Sequence, residues 1–351
     1  MNDKKDYRVS ILGTGTWGTA LAKMLSEDGR SCMLWSVSAD EINELETTHA
    51  HKNLPGCYLP ENIKYTTDMK EAVEFAKTVY DGDEISDGLL VFAVPSVFVR
   101  STAEKAAQYI KPGQVIVDVA KGIEPNTHMT MTQIIDDVLQ ENKIEGAELV
   151  ALSGPTHAEE VAVGLPSTIV AASKSHKAAA FAQEIFSTPF MRVYTNKDVL
   201  GVEICAALKN VIALASGIAT GLGYGDNLRA AIITRGLAEI TRLGIAMNCN
   251  PQTFSGLAGI GDLIVTATSH HSRNNNCGIL IGQGKTADEA TREVGMVVEG
   301  INALPAAMEL SGQYGVELPI AEAVDRVVKG KATPKDAFRA LMDRAKKSEL
   351  Y

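Results

Sequence analysis

Apolar positions along this chain follow two rhythms. In the first half, short unbroken apolar runs alternate with stretches of helical period; from residue 198 onward the period is helical almost throughout. The run RVSIL, Arg8–Leu12, reads as a buried strand that feeds directly into Gly13-Thr14-Gly15-Thr16-Trp17-Gly18. A helix follows, with Ala20, Leu21, Met24 and Leu25 on one face and Gly29 as its stop. A second strand, SCMLWS, leads to a helix starting at Asp40, a Pro/Gly-punctuated loop NLPGCYLPEN, a helix over 68–80 and an acidic loop DGDEISDG. The strongly apolar strand LLVFAVPS comes next, then a helix over 97–110 closed by Pro112-Gly113, then the strand QVIVDVA, which delivers Lys121-Gly122 at its carboxyl end. ELVALSGP is another strand, and STIVAAS and MRVYT flank a helix over His176–Phe186. Buried strands alternating with helices predict a doubly wound α/β sheet whose ligands gather at the carboxyl ends of its strands. Thr195-Asn196-Lys197 reads as a hinge, giving two domains, 1–195 and 196–351.

The second half is organised around DVLGVEICAALKNVIALASGIATGL, residues 198–222. Asp198 is suited to cap the first turn, because its carboxylate accepts from amides that have no helical partner. Apolar and small residues then surround the helix on every side, so it is expected to be buried nearly all round. Glu203, Lys209 and Asn210 alone interrupt it with strongly polar side chains. Charges near its middle and its Ala/Gly-rich composition weigh against a membrane span. Spacing leaves two readings of Lys209 open: a stem that snorkels to the surface, or a buried ammonium that must find a partner. Residues 229–243 form an amphipathic helix, Pro251 opens another, and 285–293 and 316–329 are further helices, with a fraying tail beyond Lys347. The stretch GLAGIGDLIVTATSHHSRNNNCG is glycine-rich and reads as the exception to the helical pattern.

Composition narrows the class. A length of 351 residues fits two domains better than one core. The net charge of −10 argues against a nucleic-acid surface or an anionic membrane face, so any phosphate must be held by local positive groups. The five cysteines are scattered without a C-x-x-C pair, which fits free thiols in a reducing compartment. No apolar signal region precedes the first strand, giving a cytoplasmic reading.

The candidate chemistry then falls into place. A G-x-G-x-x-G between a strand and a helix is a dinucleotide fingerprint: Gly13 permits the turn, Gly15 lets a pyrophosphate approach, and Gly18 lets the helix pack on the sheet. The second strand ends in Ser36-Val37-Ser38, neither acid nor base, which leaves NAD against NADP unsettled. Lys121 lies at a strand's carboxyl end and is a ligand candidate. Asp262, after Gly259 and Gly261, places a carboxylate where backbone approaches closely. Arg273, within Ser272-Arg273-Asn274, is suited to clamp a phosphate bidentately, although an exposed loop arginine has the same spacing. His270-His271 resembles half a metal site but lacks matching ligands, so no metal is expected.

Taken in order, LGTGTWGTALA, FAVPS, KGIE, SGPTHAEEVA, CAALKNVIALASGIATGLGYGDN, GLAGIGDLIVT, SRN and VVEG resemble the NAD(P)-dependent glycerol-3-phosphate dehydrogenase family, bacterial type, over nearly the full length. The resemblance implies a Rossmann-type domain followed by an all-helical substrate domain, paired as a cytoplasmic homodimer. It also implies reversible hydride transfer between NAD(P)H and dihydroxyacetone phosphate, giving sn-glycerol 3-phosphate for phospholipids. By position, Lys209 resembles the family's catalytic lysine, Lys121 the lysine meeting cofactor and substrate, and Asp262 the carboxylate beside the reacting hydroxyl. Ser272, Arg273 and Asn274 resemble substrate-phosphate and cofactor contacts. Thr16, Trp17, Gly154, Thr156, Ala158, Val297 and Glu299 fall where the family touches its dinucleotide. Ser36-Val37-Ser38 departs from the basic residues many members carry there, and His157 from a commonly aromatic position. Two rivals share features: a β-hydroxyacid dehydrogenase of the 6-phosphogluconate type, which expects S-G-G where this chain has Ser153-Gly154-Pro155, and a non-catalytic dinucleotide sensor, which has no need of a buried lysine with a carboxylate partner.

Overall fold

The structure, a computed structural model, describes residues 7–81, 84–346 and 348–349. The sequence readings at residues 1–6, at Gly82-Asp83 and at 347, 350 and 351 lie outside the described residues. Strands β1 (Arg8–Leu12), β2 (Ser31–Trp35), β3 (Lys64–Thr66), β4 (Thr78–Asp81), β5 (Glu84–Phe92), β6 (Val115–Asp118), β7 (Glu148–Ser153), β8 (Ser167–Ala172) and β9 (Met191–Asn196) build one sheet. Its order is β3-β2-β1-β5-β6-β7-β8-β9, with β4 attached to β5. The strands from β3 to β7 in that order run parallel, and β8 reverses against β7.

Helices cover both faces, which is why these strands read as unbroken apolar runs rather than alternating ones. Helices α1 (Thr16–Glu27), α6 (Ala158–Ala162) and α7 (His176–Phe186) share a core on one face, joined by Leu45 of α2 (Ala39–Thr48). Helices α3 (Met69–Phe75), α4 (Val99–Ala107) and α5 (Met131–Glu141) pack on the other. The chain reverses its direction of strand addition between β1 and β5, and this switch point opens a crevice at the carboxyl edge.

After β9 the described elements are all helical: α8 (Val199–Gly221), α9 (Asp226–Ala246), α10 (Pro251–Phe254), α11 (Asp262–Thr268), α12 (Arg273–Gly282), α13 (Ala287–Val294), α14 (Glu299–Tyr314), α15 (Pro319–Val328) and α16 (Pro334–Met342). Helix α8 is the axle of this half. Asp198 caps it, accepting from Gly201 N–H at 3.0 Å through Oδ1. Its Oδ2 also accepts from Asn250 N–H at 2.9 Å and Thr253 Oγ1 at 2.6 Å, so the cap also ties the start of α10 to the axle. The helix is long and apolar enough to cross a membrane, yet 89% of its apolar window is buried within the chain's own fold. Helix α12 lies against it backbone to backbone. A Cβ on Gly217 would collide with the Asn275 carbonyl, and one on Gly278 with the Leu214 carbonyl. Glycines on both helices thereby fix how deeply the first turn of α12, with Arg273, sits beside Lys209.

Two sequence readings need correction. The helix over 68–80 stops at Phe75, and Thr78–Asp81 turns back as β4, antiparallel to β5 with Asp81 opposite Glu84. The acidic segment is therefore the arm of a hairpin, apart from Gly82-Asp83. Thr78 anchors it, donating from Oγ1 to the Gly88 carbonyl at 2.8 Å and accepting from Val115 N–H at 2.9 Å. Second, the glycine-rich stretch is mostly helical: a π-type turn over Leu257–Gly261 runs into α11, and α12 begins at Arg273. Gly259 is the kink, since a side chain there would strike the Phe254 carbonyl. The glycines mark close backbone approach, a demand that composition does not distinguish from a loop.

Candidate active site

A cavity of about 960 Å³ lies between the carboxyl edge of the sheet and the second-half helices. Loops after β1, β5, β6 and β7 wall one side, with Gly15, Pro95, Lys121 and Thr156 among them. Lys209, Thr266, Arg273 and Val297 wall the other. At the glycine-rich end, Gly13 has φ +127° and a Cβ there would lie 2.6 Å from the Ala93 carbonyl oxygen. A Cβ on Gly18 would collide with the Gly13 carbonyl, while one on Gly15 would meet nothing within 4 Å. Gly13 and Gly18 are thus required by packing, and Gly15 by clearance over the cavity. Gly15 is also the uncapped N-cap of α1, so the first-turn amides face the space with a partial positive charge. A pyrophosphate fits that cradle, as the fingerprint predicts.

Deeper in the cavity, three charges converge from separate elements. Lys209, 3% exposed on α8, donates to Asp262 Oδ1 and to Thr266 Oγ1 at 2.6 Å. Lys121, delivered after β6, reaches Asp262 Oδ2 at 2.8 Å. Thr266, one helical turn after Asp262, donates to the Asp262 carbonyl at 2.6 Å and so is locked as an acceptor for Lys209. Of the two readings of Lys209, the buried ammonium with a partner is the one realised. Burial pushes the Lys209 pKa down; Asp262 pulls it back, Lys121 pushes it down again, and the outcome is about 7. Burial alone would raise Asp262, but Lys121 and Lys209 outweigh it and hold the carboxyl below its ordinary value. The cluster is thus an amine near neutrality hydrogen-bonded to a fixed anion, with a second cation at the cavity side.

The other sequence candidates divide by what their side chains do. Thr16, Trp17, Thr156, Ala158, Val297 and Arg273 line the cavity, as do Ser272, Asn274 and Glu299, which also brace it. The Arg273 guanidinium has no hydrogen bond among the described residues, with the charges of Glu299 and Glu159 nearby. Ser272 caps α12, accepting from Asn275 N–H at 3.2 Å. Asn274 is a strut: it donates to Asn210 Oδ1 at 3.0 Å and accepts from Gly300 N–H at 2.8 Å. Glu299 accepts from Ser96 N–H at 3.1 Å and Ser96 Oγ at 2.6 Å, bracing the loop after β5 against α14. Gly154 is set back from the wall, where a Cβ would stand 2.9 Å from the Ile169 Cα. His157 lines the cavity with its ring 5.7 Å from that of His271, centre to centre. Among the described residues, no three His, Cys, Asp or Glu side chains are grouped to hold a metal ion.

Sequence reasoning missed Thr266, Ser96 and the partners of Glu203. Glu203 is buried and accepts from Thr130 Oγ1 at 2.7 Å, Thr132 N–H at 2.8 Å and Thr132 Oγ1 at 2.7 Å. It docks α8 on the start of α5, ahead of the lysine's position. The T-x-T at a helix start was the available signal, since a first turn carries unsatisfied donors.

Comparisons with known proteins agree with this geometry over both halves. The profile described as NAD-dependent glycerol-3-phosphate dehydrogenase N-terminus matches residues 8–179, and its C-terminus counterpart matches residues 198–339. A Lactobacillus delbrueckii subsp. bulgaricus protein named glycerol-3-phosphate dehydrogenase (NAD(P)+) 2 is 56% identical over 98% of this chain and 99% of its own length. One of that activity from Agathobacter rectalis is 49% identical over 97% of each chain. The crystal structure of glycerol-3-phosphate dehydrogenase from Coxiella burnetii superposes with a TM-score of 0.88 at 31% identity, covering 97% of this chain and 99% of that one. With both halves matched and the lysine helix packed across the nucleotide crevice, the chain belongs to the NAD-dependent glycerol-3-phosphate dehydrogenase family.

Proposed function

We propose that this enzyme interconverts dihydroxyacetone phosphate and sn-glycerol 3-phosphate, with Lys209 moving the proton at the substrate's C2 oxygen. The observation carrying that role is the buried Lys209–Asp262–Lys121 cluster on the cavity floor. A bound nicotinamide supplies or takes the hydride; the protein's part is everything else. Hydride arrival at the C2 carbon turns its carbonyl oxygen into an alkoxide, which needs a proton and nearby positive charge. Lys209 as ammonium gives that proton, and in the reverse direction its neutral amine takes one. Asp262 aims the amine and keeps it from losing its proton too easily, while Lys121 adds charge beside the oxygen. Arg273 holds the phosphate of the substrate, so the non-reacting end fixes the carbonyl in place. Ser272 and Asn274 stand with Arg273 at that end, while Glu299, braced on Ser96, serves the cofactor side.

The proposal further assigns residues 1–195 to nucleotide binding and 196–351 to substrate binding, in a cytoplasmic homodimer supplying phospholipid synthesis. Loss of NADH or NADPH absorbance on adding dihydroxyacetone phosphate is the expected result. Reduction of NADP by 6-phosphogluconate, with no reaction on dihydroxyacetone phosphate, would overturn it. Thermal stabilisation by nucleotide with no turnover of either substrate would point to a sensor instead.

A further inference from the structure

In dinucleotide folds an acid at the end of the second strand bonds the adenosine ribose hydroxyls, and a nearby arginine accommodates a 2′-phosphate. This chain has neither at that strand end, yet the fold brings an acid back to it. Ser38 caps α2 by accepting from Glu41 N–H at 3.3 Å, which turns the first helical turn toward the glycine loop. Glu41 Oε2 then accepts from Thr14 Oγ1 at 2.7 Å and from Ser36 Oγ at 2.8 Å. Thr14 is the residue between Gly13 and Gly15, and Ser36 follows the last residue of β2. The carboxylate is thus pinned between the phosphate cradle and the strand end, where ribose lies when pyrophosphate occupies the α1 terminus. Oε1 takes no hydrogen bond among the described residues.

The surroundings suit a hydroxyl better than a phosphate. Residues 36–53 carry Asp40, Glu41, Glu44 and Glu46 against one lysine, Lys52, and no arginine. Besides His49, His51 is the other basic side chain there. Its Nδ1 accepts from Asn53 N–H at 3.1 Å, and its ring also faces the Thr14 backbone, so it has no donor to spare for a phosphate. Burial lowers the His51 pKa, while the Thr14 and Ser36 hydroxyls lower that of Glu41, keeping the first neutral and the second charged. Val37, 73% exposed beside them, offers an apolar edge for the base.

We propose that Glu41 is the ribose-reading acid of this enzyme, bonding the 2′-hydroxyl of NAD(H) through Oε1 and repelling the 2′-phosphate of NADP(H). The inference rests on the dinucleotide reading of the cavity and deepens it. It places the specificity-determining carboxylate on α2, six residues beyond the strand end where a sequence motif looks for it.

The test is the ratio of kcat/KM for NADH to that for NADPH with saturating dihydroxyacetone phosphate, together with the Kd of each nucleotide from its fluorescence. The unmodified enzyme should favour NADH. A charge-assisted hydrogen bond of ordinary strength makes Glu41→Ala shift the ratio toward NADPH by roughly 10- to 100-fold. Glu41→Gln, which keeps the shape and removes the charge, should shift it in the same direction. Both constants come from one preparation, so a partly misfolded variant leaves the ratio unaffected. A native preference for NADPH, or a ratio that neither variant moves, would overturn the proposal. So would loss of NADPH use confined to Lys52→Ala. Nucleotide binding without turnover of dihydroxyacetone phosphate would instead strike at the reaction, and the Kd ratio would still read Glu41.

Discussion

Replacing Lys209 with methionine should lower kcat with dihydroxyacetone phosphate by roughly 100- to 10,000-fold, the range expected when a positioned proton donor is removed. Methionine suits the site because it fills nearly the same volume in a helix buried all round, leaving no cavity to confuse the result. Asp262 keeps Lys121 as its partner at 2.8 Å, so the substitution leaves no unpaired buried charge. NADH affinity should change by no more than about twofold, because the amine sits across the cavity from the glycine loop. Steady-state kinetics with dihydroxyacetone phosphate and a fluorescence titration with NADH measure the two halves. Near-native turnover in Lys209→Met would remove this residue from the mechanism.

Arg273→Ala should raise the KM for dihydroxyacetone phosphate by about 100-fold, the loss of a bidentate charge-assisted pair of roughly 3 kcal/mol. The same variant should handle unphosphorylated dihydroxyacetone about as well as the native enzyme, since that substrate offers nothing for the guanidinium to grip. Arg273→Lys should recover only part of the loss, because a point charge replaces a planar fork. Equal losses on both ketones would mean that Arg273 acts through the packing of α12. That alternative has a physical route, since α12 meets α8 through Gly217 and Gly278 with no slack.

Lys209 stood out on one local fact, a strong cation in the middle of a helix with no polar face. That fact left partnered and surface-extended readings open until the fold showed the lysine buried. The glycine fingerprint was legible for a similar reason, since its three glycines answer to one turn and one helix entry. Convergence was harder. Lys121 and Lys209 are 141 and 53 residues from Asp262 in the chain, and no period or propensity links such distances. Their meeting follows from strand order, which delivers β6 to the crevice, and from α8 lying across it.

What the sequence left open or misread has a common cause. Polar side chains near the cavity look alike in a motif whether they bind a ligand or brace the wall. Asn274 and Glu299 line the cavity and also brace it, through Asn210, Gly300 and Ser96, and only coordinates show the second role. The same holds for β4, where Thr78 gains one bond from its hairpin partner β5 and one from β6, 37 residues on, and a helical period loses to a ladder. Glu41 is the converse: a residue with no motif value that tertiary structure carries to a place where the motif expects an acid.

In the proposed mechanism one amine, with its pKa pushed down to about 7, gives a proton in one direction and takes it in the other. The most direct test is a pair of pH profiles of kcat/KM, one for reduction of dihydroxyacetone phosphate by NADH and one for oxidation of sn-glycerol 3-phosphate by NAD+. Reduction needs the ammonium, so its profile should fall as pH rises through about 7. Oxidation needs the free amine, so its profile should fall as pH drops through the same value. Both inflections should vanish in Lys209→Met. Limbs that bend the same way in both directions, or an inflection near neutrality that survives the substitution, would contradict the account.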